Sequence, residues 1–190
     1  FKKLKAPYGV FSIWGNHDYG DYVVWDNDQA KKDNLDDLKS KQKSFGWRLL
    51  LDETIKIEKE GEFFNLIGIE NWGGKARFPK YGDLRKAVQG IDESKPSILM
   101  SHDPSHWDAQ VKKDFNFIDL TLSGHTHGMQ FGIEIPGWIK WSPVKYVYKQ
   151  WADLYEENGQ KLYVNRGLGF LGYPGRVGIS PEITLFELQS

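Results

Sequence analysis

The sequence contains no cysteine, no long apolar run and no excess of basic residues. Without cysteine there is no disulfide, no thiolate metal site and no cysteine nucleophile, and the redox compartment stays undetermined. No stretch of about 18 apolar residues occurs, so no membrane-spanning helix is predicted, and no signal peptide is visible. The 25 basic and 26 acidic side chains leave a net charge of -1, which argues against a nucleic-acid partner.

The 190 residues are enough for one domain with a sizeable core, and 15% of them are Phe, Trp or Tyr. No internal repeat, low-complexity tract or linker divides the chain. The sequence begins at Phe1 and not at Met, so we expect this chain to be a piece of a longer protein.

Short apolar runs alternate with amphipathic segments, which predicts a single α/β unit with mixed sheets. Buried strands are expected over residues 8–14, 96–101 and 119–123. A hairpin around Gly61 is predicted from residues 54–70, and a surface helix is predicted over 28–45. The remaining predictions are a strand over 48–51, helices over 83–88 and 105–112, the latter with a serine cap, an irregular aromatic segment over 129–151, and late strands over 161–166 and 182–188.

Three turns that contain histidine follow three of these apolar runs. They read G-N-H-D at 15–18, S-H-D-P at 101–104 and G-H-T-H-G at 124–128. Taken alone, a His-x-His turn is as well explained by two solvated side chains as by a binding site. Together the turns place four of the five histidines at the carboxyl ends of strands, where sites form in open α/β sheets.

The side chains in these turns are those that bind transition metals. The candidates are Asn16, His17, His102, His125 and His127. Imidazole with a neutral oxygen ligand suits Mn, Fe, Zn, Ni or Co better than Mg or Ca. Because the asparagine oxygen carries no charge, it leaves the ion a strong Lewis acid that can lower the pKa of a bound water.

The other polar residues near these turns receive simpler interpretations. His106 lies in a predicted helix and is interpreted as a surface histidine. Asp18 and Asp103 follow their histidines directly, so each can orient an imidazole or cap the next segment. Capping is the preferred interpretation for both.

The three turns, in this order and at these distances, resemble the calcineurin-like metallophosphoesterase superfamily. The resemblance covers residues 8–130, and N-R-G-L-G at 165–169 and P-E-I-T at 181–184 are similar to the closing strands of its bacterial, often membrane-associated branch. It implies a sandwich of two mixed β-sheets flanked by helices. It also implies a two-metal site that hydrolyses a phosphoester or pyrophosphate bond.

The resemblance further assigns a role to each candidate. Asn16, His102 and His125 would bind one divalent metal ion, and His127 would bind the other. His17 would contact the phosphoryl group and assist the leaving group. Such a metal pair binds the phosphate oxygens. A nearby imidazole stabilises the negative charge that develops on the leaving oxygen, or protonates that oxygen.

The chain departs from the family pattern at two places. The family opens with an Asp-x-His turn and a Gly-Asp turn, yet the fourteen residues before Gly15 contain neither aspartate nor histidine. We therefore expect residues 1–190 to be the C-terminal portion of a single metallophosphoesterase domain, inactive by itself, with one weakly bound metal or none. In addition, Met129 stands where the bacterial branch often has a second glycine. This replacement would narrow the turn or change its direction.

The partners are expected to be a phosphorylated small molecule or a lipid-like substrate, and no nucleic acid. Trp and Tyr interleaved with Lys over residues 136–151 fit a membrane surface or a lipid-like substrate, although such rings also commonly cover a core. An open sheet edge beside residues 8–14 would favour self-association. The alternative function is a non-catalytic metal-binding or interaction module. Substrate identity and localisation stay open.

Overall fold

The computed structural model describes residues 2–75 and 78–189. The ten strands are β1 Phe11–Ser12, β2 Arg48–Leu49, β3 Glu53–Lys59, β4 Glu62–Gly68, β5 Ser97–Met100, β6 Leu120–Ser123, β7 Ile133–Ile135, β8 Ile139–Trp141, β9 Asp153–Glu157 and β10 Gln160–Val164. The helices are α1 Asp28–Ser44, α2 Leu84–Ala87, a π-helical turn Trp107–Val111 that runs into α3 Lys112–Asp114, and the 3-10 turns His127–Gln130 and Pro143–Tyr146.

Six strands form the main sheet in the order β3-β4-β5-β6-β10-β9. The four central strands β4, β5, β6 and β10 are parallel, and β3 and β9 pair antiparallel at the two edges. Two small sheets accompany it, the parallel pair β1-β2 and the antiparallel pair β7-β8. The predicted α/β class with several mixed sheets is confirmed, and it agrees with the fold that the resemblance implies.

The best-predicted local elements carry clear sequence signals. β3 and β4 form the expected hairpin, and Glu60 and Gly61 both take positive φ, as the favoured two-residue hairpin turn requires. Helix α1 begins after Asn27, whose side chain accepts a hydrogen bond from the Ala30 N–H at 2.9 Å. None of the residues of α1 is buried, so it lies on the surface as predicted.

The core of the main sheet lies under α2 and the helical segment 105–114. The fully buried side chains there include Ile67, Leu99, Leu162 and Trp107. A second apolar cluster contains Val144, Tyr148, Trp151, Ala152 and Ile179. This second cluster supports the histidine turn at 124–128, because Thr126 Oγ1 donates to the Trp151 carbonyl at 2.7 Å.

Three predicted elements differ from the structure, and one observed strand has no counterpart among the predictions. The strand over 8–14 is only two residues long, and the segment 129–151 contains the β7-β8 hairpin and a 3-10 turn. Strand β9 was not predicted. Residues 182–188 form no strand, and Thr184 reaches β10 by a side-chain hydrogen bond in which its Oγ1 donates to the Tyr163 hydroxyl at 3.1 Å.

The predicted serine cap of the helix at residue 105 is also wrong. The capping side chain is Asp103, whose Oδ1 accepts the Ser105 N–H at 2.8 Å and the Ser105 hydroxyl at 2.6 Å. A carboxylate at this position also interacts favourably with the positive end of the helix dipole. Asp103 therefore does cap the next segment, as preferred.

His106 is fully buried, so its interpretation as a surface histidine was wrong. Its Nδ1 lies 2.9 Å from Ser101 Oγ, its Nε2 lies 2.8 Å from Gln110 Oε1, and its ring packs against Trp72 at 4.4 Å. Burial lowers the pKa of His106 from 6.5 to about 4. The helical period alone could not show that this face of the segment points into the core.

We expect the buried His106 to make the protein sensitive to acid. Because its pKa is about 4 in the folded state and 6.5 when unfolded, the unfolded chain binds the extra proton between these values. The free energy of unfolding should therefore fall by up to ~3 kcal/mol as the pH drops from 6.5 to 4. Chemical denaturation of metal-free protein across this range measures the slope. His106→Gln should remove the part of this slope that one buried imidazole contributes.

Candidate metal centre

Three loops at the carboxyl ends of strands meet beside the main sheet. The first, residues 15–18, follows shortly after β1, the second begins at the end of β5, and the third follows β6. β5 and β6 are parallel neighbours, so the residues after them emerge at the same sheet edge. Adjacent parallel strands thus bring His102 and His125 together, although 23 positions separate them in sequence.

Three donor atoms converge at this edge. Asn16 Oδ1 lies 3.0 Å from His102 Nε2 and 3.0 Å from His125 Nδ1, and the two nitrogens are 3.1 Å apart. Ligands held about 2.1 Å from one ion lie roughly 3 to 3.5 Å from each other. The three atoms, which we call the donor triangle, therefore have the spacing and chemistry of one face of a transition-metal coordination sphere.

The Asn16 amide is oriented by a second contact. Its Nδ2 donates to the Tyr22 hydroxyl at 2.8 Å, so its oxygen faces the two imidazoles. Asn16 is only 4% exposed. The described residues contain no group of three or more His, Asp or Glu side chains placed to hold a metal ion. The donor triangle has two imidazoles and one amide, and it has no carboxylate.

Burial keeps these imidazoles neutral. It lowers the pKa of His102 to about 3, with smaller contributions from the neighbouring histidines. Burial also lowers the pKa of His125 and of His127, and Arg176 adds to the effect at His127. A neutral imidazole has a lone pair for a metal ion, so near neutral pH these rings are in the ligating form.

The histidine turn has an unusual backbone. His125, His127 and Met129 have φ values of 67°, 53° and 54°, which are rarely adopted by residues other than glycine. Each such residue costs on the order of 1 to 3 kcal/mol and persists only where the surroundings impose it. The left-handed φ of Met129 explains why glycine would suit this position. Ser142 supports the turn by donating to the Gly128 carbonyl at 2.8 Å.

His127 and His17 lie in the same cleft but outside the donor triangle. The cleft has a volume of about 590 Å³. His127 Nδ1 is buried and has no hydrogen-bond partner among the described residues, which fits an atom placed to bind a second ion. His17 is exposed, and its ring packs on Tyr22 at 4.6 Å.

The nearby carboxylates make hydrogen bonds to groups outside the donor triangle. Asp18 accepts the Gly15 N–H at 2.7 Å, and Glu70 accepts the Tyr19 hydroxyl at 3.2 Å. Asp103 Oδ2 comes within 3.8 Å of His125 Nε2, at the ring nitrogen that does not face Asn16. Asp18 thus stabilises its own turn through this hydrogen bond, which is consistent with the capping interpretation. Asp103 caps a helix and also faces the site.

Several cleft residues were not predicted from the sequence. Tyr22, Lys75 and Phe78 line the cleft together with the histidines and with Tyr148 of the aromatic segment 136–151. Phe78 and Tyr148 each make an edge contact with the His125 ring, with centroids 5.0 and 5.3 Å apart. None belongs to a short motif, so spacing along the chain carried no signal for them.

Gly15 is required by the close approach of His102. A Cβ at residue 15 would lie 2.6 Å from the His102 ring, too close for any real contact. We expect Gly15→Ala to push this imidazole out of the donor triangle and to weaken metal binding roughly 10- to 100-fold, as disturbed ligand support does. Gly124→Ala is the matched control, because a Cβ there meets only the Asn165 carbonyl at 3.8 Å. Equal affinities for Mn²⁺ in both variants, measured by calorimetry, would refute this prediction.

Comparison with known proteins gives a family match and several relatives. The sequence model described as "Calcineurin-like phosphoesterase" matches residues 1–129. The "Uncharacterized metallophosphoesterase YkuE" of Bacillus subtilis is 32% identical over the whole chain and is covered over 59% of its own length. The B. subtilis "Uncharacterized metallophosphoesterase YkoQ" is 27% identical, with 98% of this chain and 63% of the relative covered. The chain thus spans about three fifths of the length of these relatives.

Other relatives carry names that mention a membrane. The "Transmembrane protein with metallophosphoesterase domain" of Danio rerio is 29% identical over 98% of this chain and 40% of its own length. In the part of this chain that the structure describes, no helix has the length and apolarity needed to cross a bilayer. No solved structure matches the chain.

Proposed function

Because the chain belongs to the calcineurin-like phosphoesterase family, we propose that it forms part of a site that hydrolyses a phosphoester or pyrophosphate bond with divalent metal ions. Asn16, His102 and His125 bind one ion in this proposal, and His127 binds the second. The donor set fits Mn, Fe, Zn, Ni or Co. The observation that carries the proposal is the donor triangle, in which three neutral ligand atoms lie within 3.1 Å of each other.

The bound ions would supply Lewis acidity at the phosphate oxygens and generate the nucleophile from water. The chain's own residues provide the rest. The donor triangle would hold the first ion at the cleft, and His17 lies on the wall of the same cleft with its imidazole exposed. An imidazole there can hand a proton to the departing oxygen. Tyr22 packs on His17 and limits the directions in which its ring can turn.

Metal titration and hydrolysis of 4-nitrophenyl phosphate, run on the full-length protein and on the 190-residue chain, test this function. We expect the full-length protein to bind two Mn²⁺ ions and turn over the ester. The 190-residue chain should bind at most one ion, weakly, and show little or no turnover, because the described residues add no carboxylate to the donor triangle. Metal binding without hydrolysis in the full-length protein would instead favour the non-catalytic module.

The walls of the cleft favour a substrate with an apolar part. Met129, Val147 and Leu171 line the cleft while each is about half exposed, so the apolar lining continues to the rim. Burying such side chains against a lipid-like leaving group contributes about 25 cal/mol per Å² of apolar surface. The proposed substrate class is therefore a phosphorylated molecule with an apolar tail. The substrate assay above, repeated with short-chain and long-chain phosphate esters, would separate it from a small polar substrate.

The aromatic segment 136–151 divides into buried and exposed rings. Tyr148 and Trp151 are 7% exposed and belong to the second apolar cluster, whereas Trp138 at the tip of the β7-β8 hairpin is 82% exposed. Trp138, with the exposed Lys145 and Lys149 on the same segment, suits the surface of an anionic bilayer. We infer that membrane contact, if made through this segment, uses the hairpin tip.

We expect Trp138→Ser to lower co-sedimentation with vesicles of phosphatidylcholine and phosphatidylserine. A single exposed ring at an interface contributes on the order of 1 to 2 kcal/mol, so the bound fraction at limiting lipid should fall several-fold. Tyr8→Ser removes another exposed ring, outside the hairpin, and should leave binding unchanged. Absence of binding by the unaltered protein would remove the membrane proposal.

The open sheet edge remains a proposal for self-association. Strand β1 pairs with β2 over two residues, and the Phe11 side chain and the backbone beside it are only partly buried. An unpaired edge can add a strand from another copy. Sedimentation velocity of the 190-residue chain at rising concentration would detect this, and a constant monomer would rule it out.

A further inference from the structure

Tyr148 and Asp103 form a buried polar pair at the second ring nitrogen of His125. His125 Nε2 lies 2.8 Å from the Tyr148 hydroxyl, and this hydroxyl lies 3.3 Å from Asp103 Oδ2. Asp103 is 1% exposed and Tyr148 is 7% exposed. Contacts this well shielded from water are stronger and more directional than the same contacts at the surface.

The chemistry of the three groups fixes where the protons lie. A carboxylate oxygen only accepts hydrogen bonds, so the Tyr148 hydroxyl donates to Asp103 Oδ2. With its single proton used there, the hydroxyl oxygen accepts from His125 Nε2–H. A neutral imidazole that carries its proton on Nε2 has its lone pair on Nδ1.

That lone pair points into the donor triangle. His125 Nδ1 faces Asn16 Oδ1 at 3.0 Å and His102 Nε2 at 3.1 Å. A lone pair that faces an amide oxygen is repelled by it unless a cation, or a proton on His102 Nε2, lies close to both atoms. The proton order imposed from behind therefore leaves His125 Nδ1 ready to bind a cation.

We propose that Tyr148 and Asp103 are positioning residues that hold His125 as the Nε2–H tautomer and so prepare its Nδ1 to bind the metal ion. The inference rests on the proposed metal-dependent function. It adds Tyr148, which lies outside the sequence motifs, and it gives Asp103 of the S-H-D-P turn a second role besides capping the helix. Tyr148 contacts the ligand His125 directly, and Asp103 acts on it through the Tyr148 hydroxyl.

Asp103 is itself held from two sides. Its Oδ1 accepts two hydrogen bonds from Ser105 at the start of the helical segment, so only Oδ2 is directed at Tyr148. On the other side lies Gly73, where a Cβ would come 2.5 Å from Oδ2. The helix cap and the close approach of Gly73 leave this carboxylate one orientation.

Asp103→Asn should reverse the proton order. The Asn oxygen would take the place of Oδ1 opposite the two Ser105 donors, and its NH₂ would then face the Tyr148 hydroxyl. The hydroxyl would accept from that NH₂ and donate to His125 Nε2, which moves the imidazole proton to Nδ1. Tyr148→Phe keeps the buried ring and removes both the acceptor at His125 Nε2 and the donor to Asp103 Oδ2.

The test measures tautomer and metal affinity in the full-length protein. Nitrogen-15 NMR of the metal-free protein should show His125 as the Nε2–H tautomer, and Asp103→Asn should shift it toward Nδ1–H. Calorimetry with Zn²⁺ should give affinities about 10- to 100-fold weaker in Asp103→Asn and Tyr148→Phe than in the unaltered protein. Tyr146→Phe makes the same chemical change at a 75% exposed ring and should bind Zn²⁺ normally.

The outcomes separate this inference from the proposed function. If the unaltered protein binds no divalent metal, both the function and the inference are wrong. If it binds Zn²⁺ and both variants bind equally well, only the inference is wrong. An Nδ1–H tautomer of His125 in the unaltered protein would overturn the inference as well, whatever the affinities.

Discussion

Replacing His17 with alanine in the full-length protein should lower kcat by about 100- to 10,000-fold while leaving the metal content unchanged. His17 lies on the wall of the cleft, is exposed, and is not part of the donor triangle. Its removal therefore takes away an imidazole that can protonate the leaving oxygen, without removing a ligand. Turnover of an alkyl phosphate, whose leaving oxygen needs a proton, and metal analysis of the same sample measure the two quantities together.

The neighbouring residue provides the contrast. Asn16 is 4% exposed and its Oδ1 touches both imidazole nitrogens of the donor triangle. Asn16→Ala should lose metal and activity together, whereas His17→Ala should lose activity alone. A leaving group with a low pKa needs little protonation, so the rate loss in His17→Ala should shrink for such an ester. Equal loss of metal in both variants would show that His17 is a ligand and not an acid.

His102→Ala should abolish binding of the first metal ion and reduce turnover to background. His102 Nε2 contacts both other members of the donor triangle, so its loss leaves a single imidazole and a neutral amide to hold a divalent ion. Two such ligands compete poorly with water for a divalent ion. Calorimetric titration with Mn²⁺ and aryl phosphate hydrolysis measure the effect.

His106→Ala is the matched control for that experiment. His106 is also buried and lies four positions further along the chain, but its two nitrogens contact Ser101 and Gln110. The substitution should lower the free energy of unfolding by about 2 to 4 kcal/mol, because it leaves a cavity and removes the hydrogen-bond partner of two buried polar groups. Metal affinity should not change at a temperature where the variant is folded. Loss of metal in His106→Ala but not in His102→Ala would show that the ion does not bind at the donor triangle.

The local elements with strong signals could be predicted from the sequence alone. The β3-β4 hairpin needs only alternating residues and a turn that tolerates positive φ at Glu60 and Gly61. Helix α1 needs an N-cap and a polar run, and both lie within one segment. The three histidine turns follow from apolar runs that end in glycine or small polar residues. Each of these signals is contained in a few neighbouring residues, so no distant contact is needed to interpret it.

The failures occurred where a distant contact decides the outcome. Residues 182–188 have a strand-like pattern, yet a strand also needs a partner strand, and no strand in the described part of the chain pairs with them. His106 has the same helical signal as an exposed residue, and only the packing of Trp72 against its ring shows that it is buried. The hairpin β7-β8 and strand β9 were hidden by an aromatic-rich sequence whose alternation is short.

The sequence by itself determined which side chains are available for chemistry and that they stand at strand ends, because residue type and strand periodicity are local properties. Only the tertiary structure decided that Asn16 Oδ1, His102 Nε2 and His125 Nδ1 lie within 3.1 Å of each other. It alone also placed Tyr148 and Asp103 behind His125. The reason is physical: the parallel pairing of β5 with β6 and the packing of the second apolar cluster bring together residues far apart in the chain, and no local spacing encodes the direction in which a side chain then points.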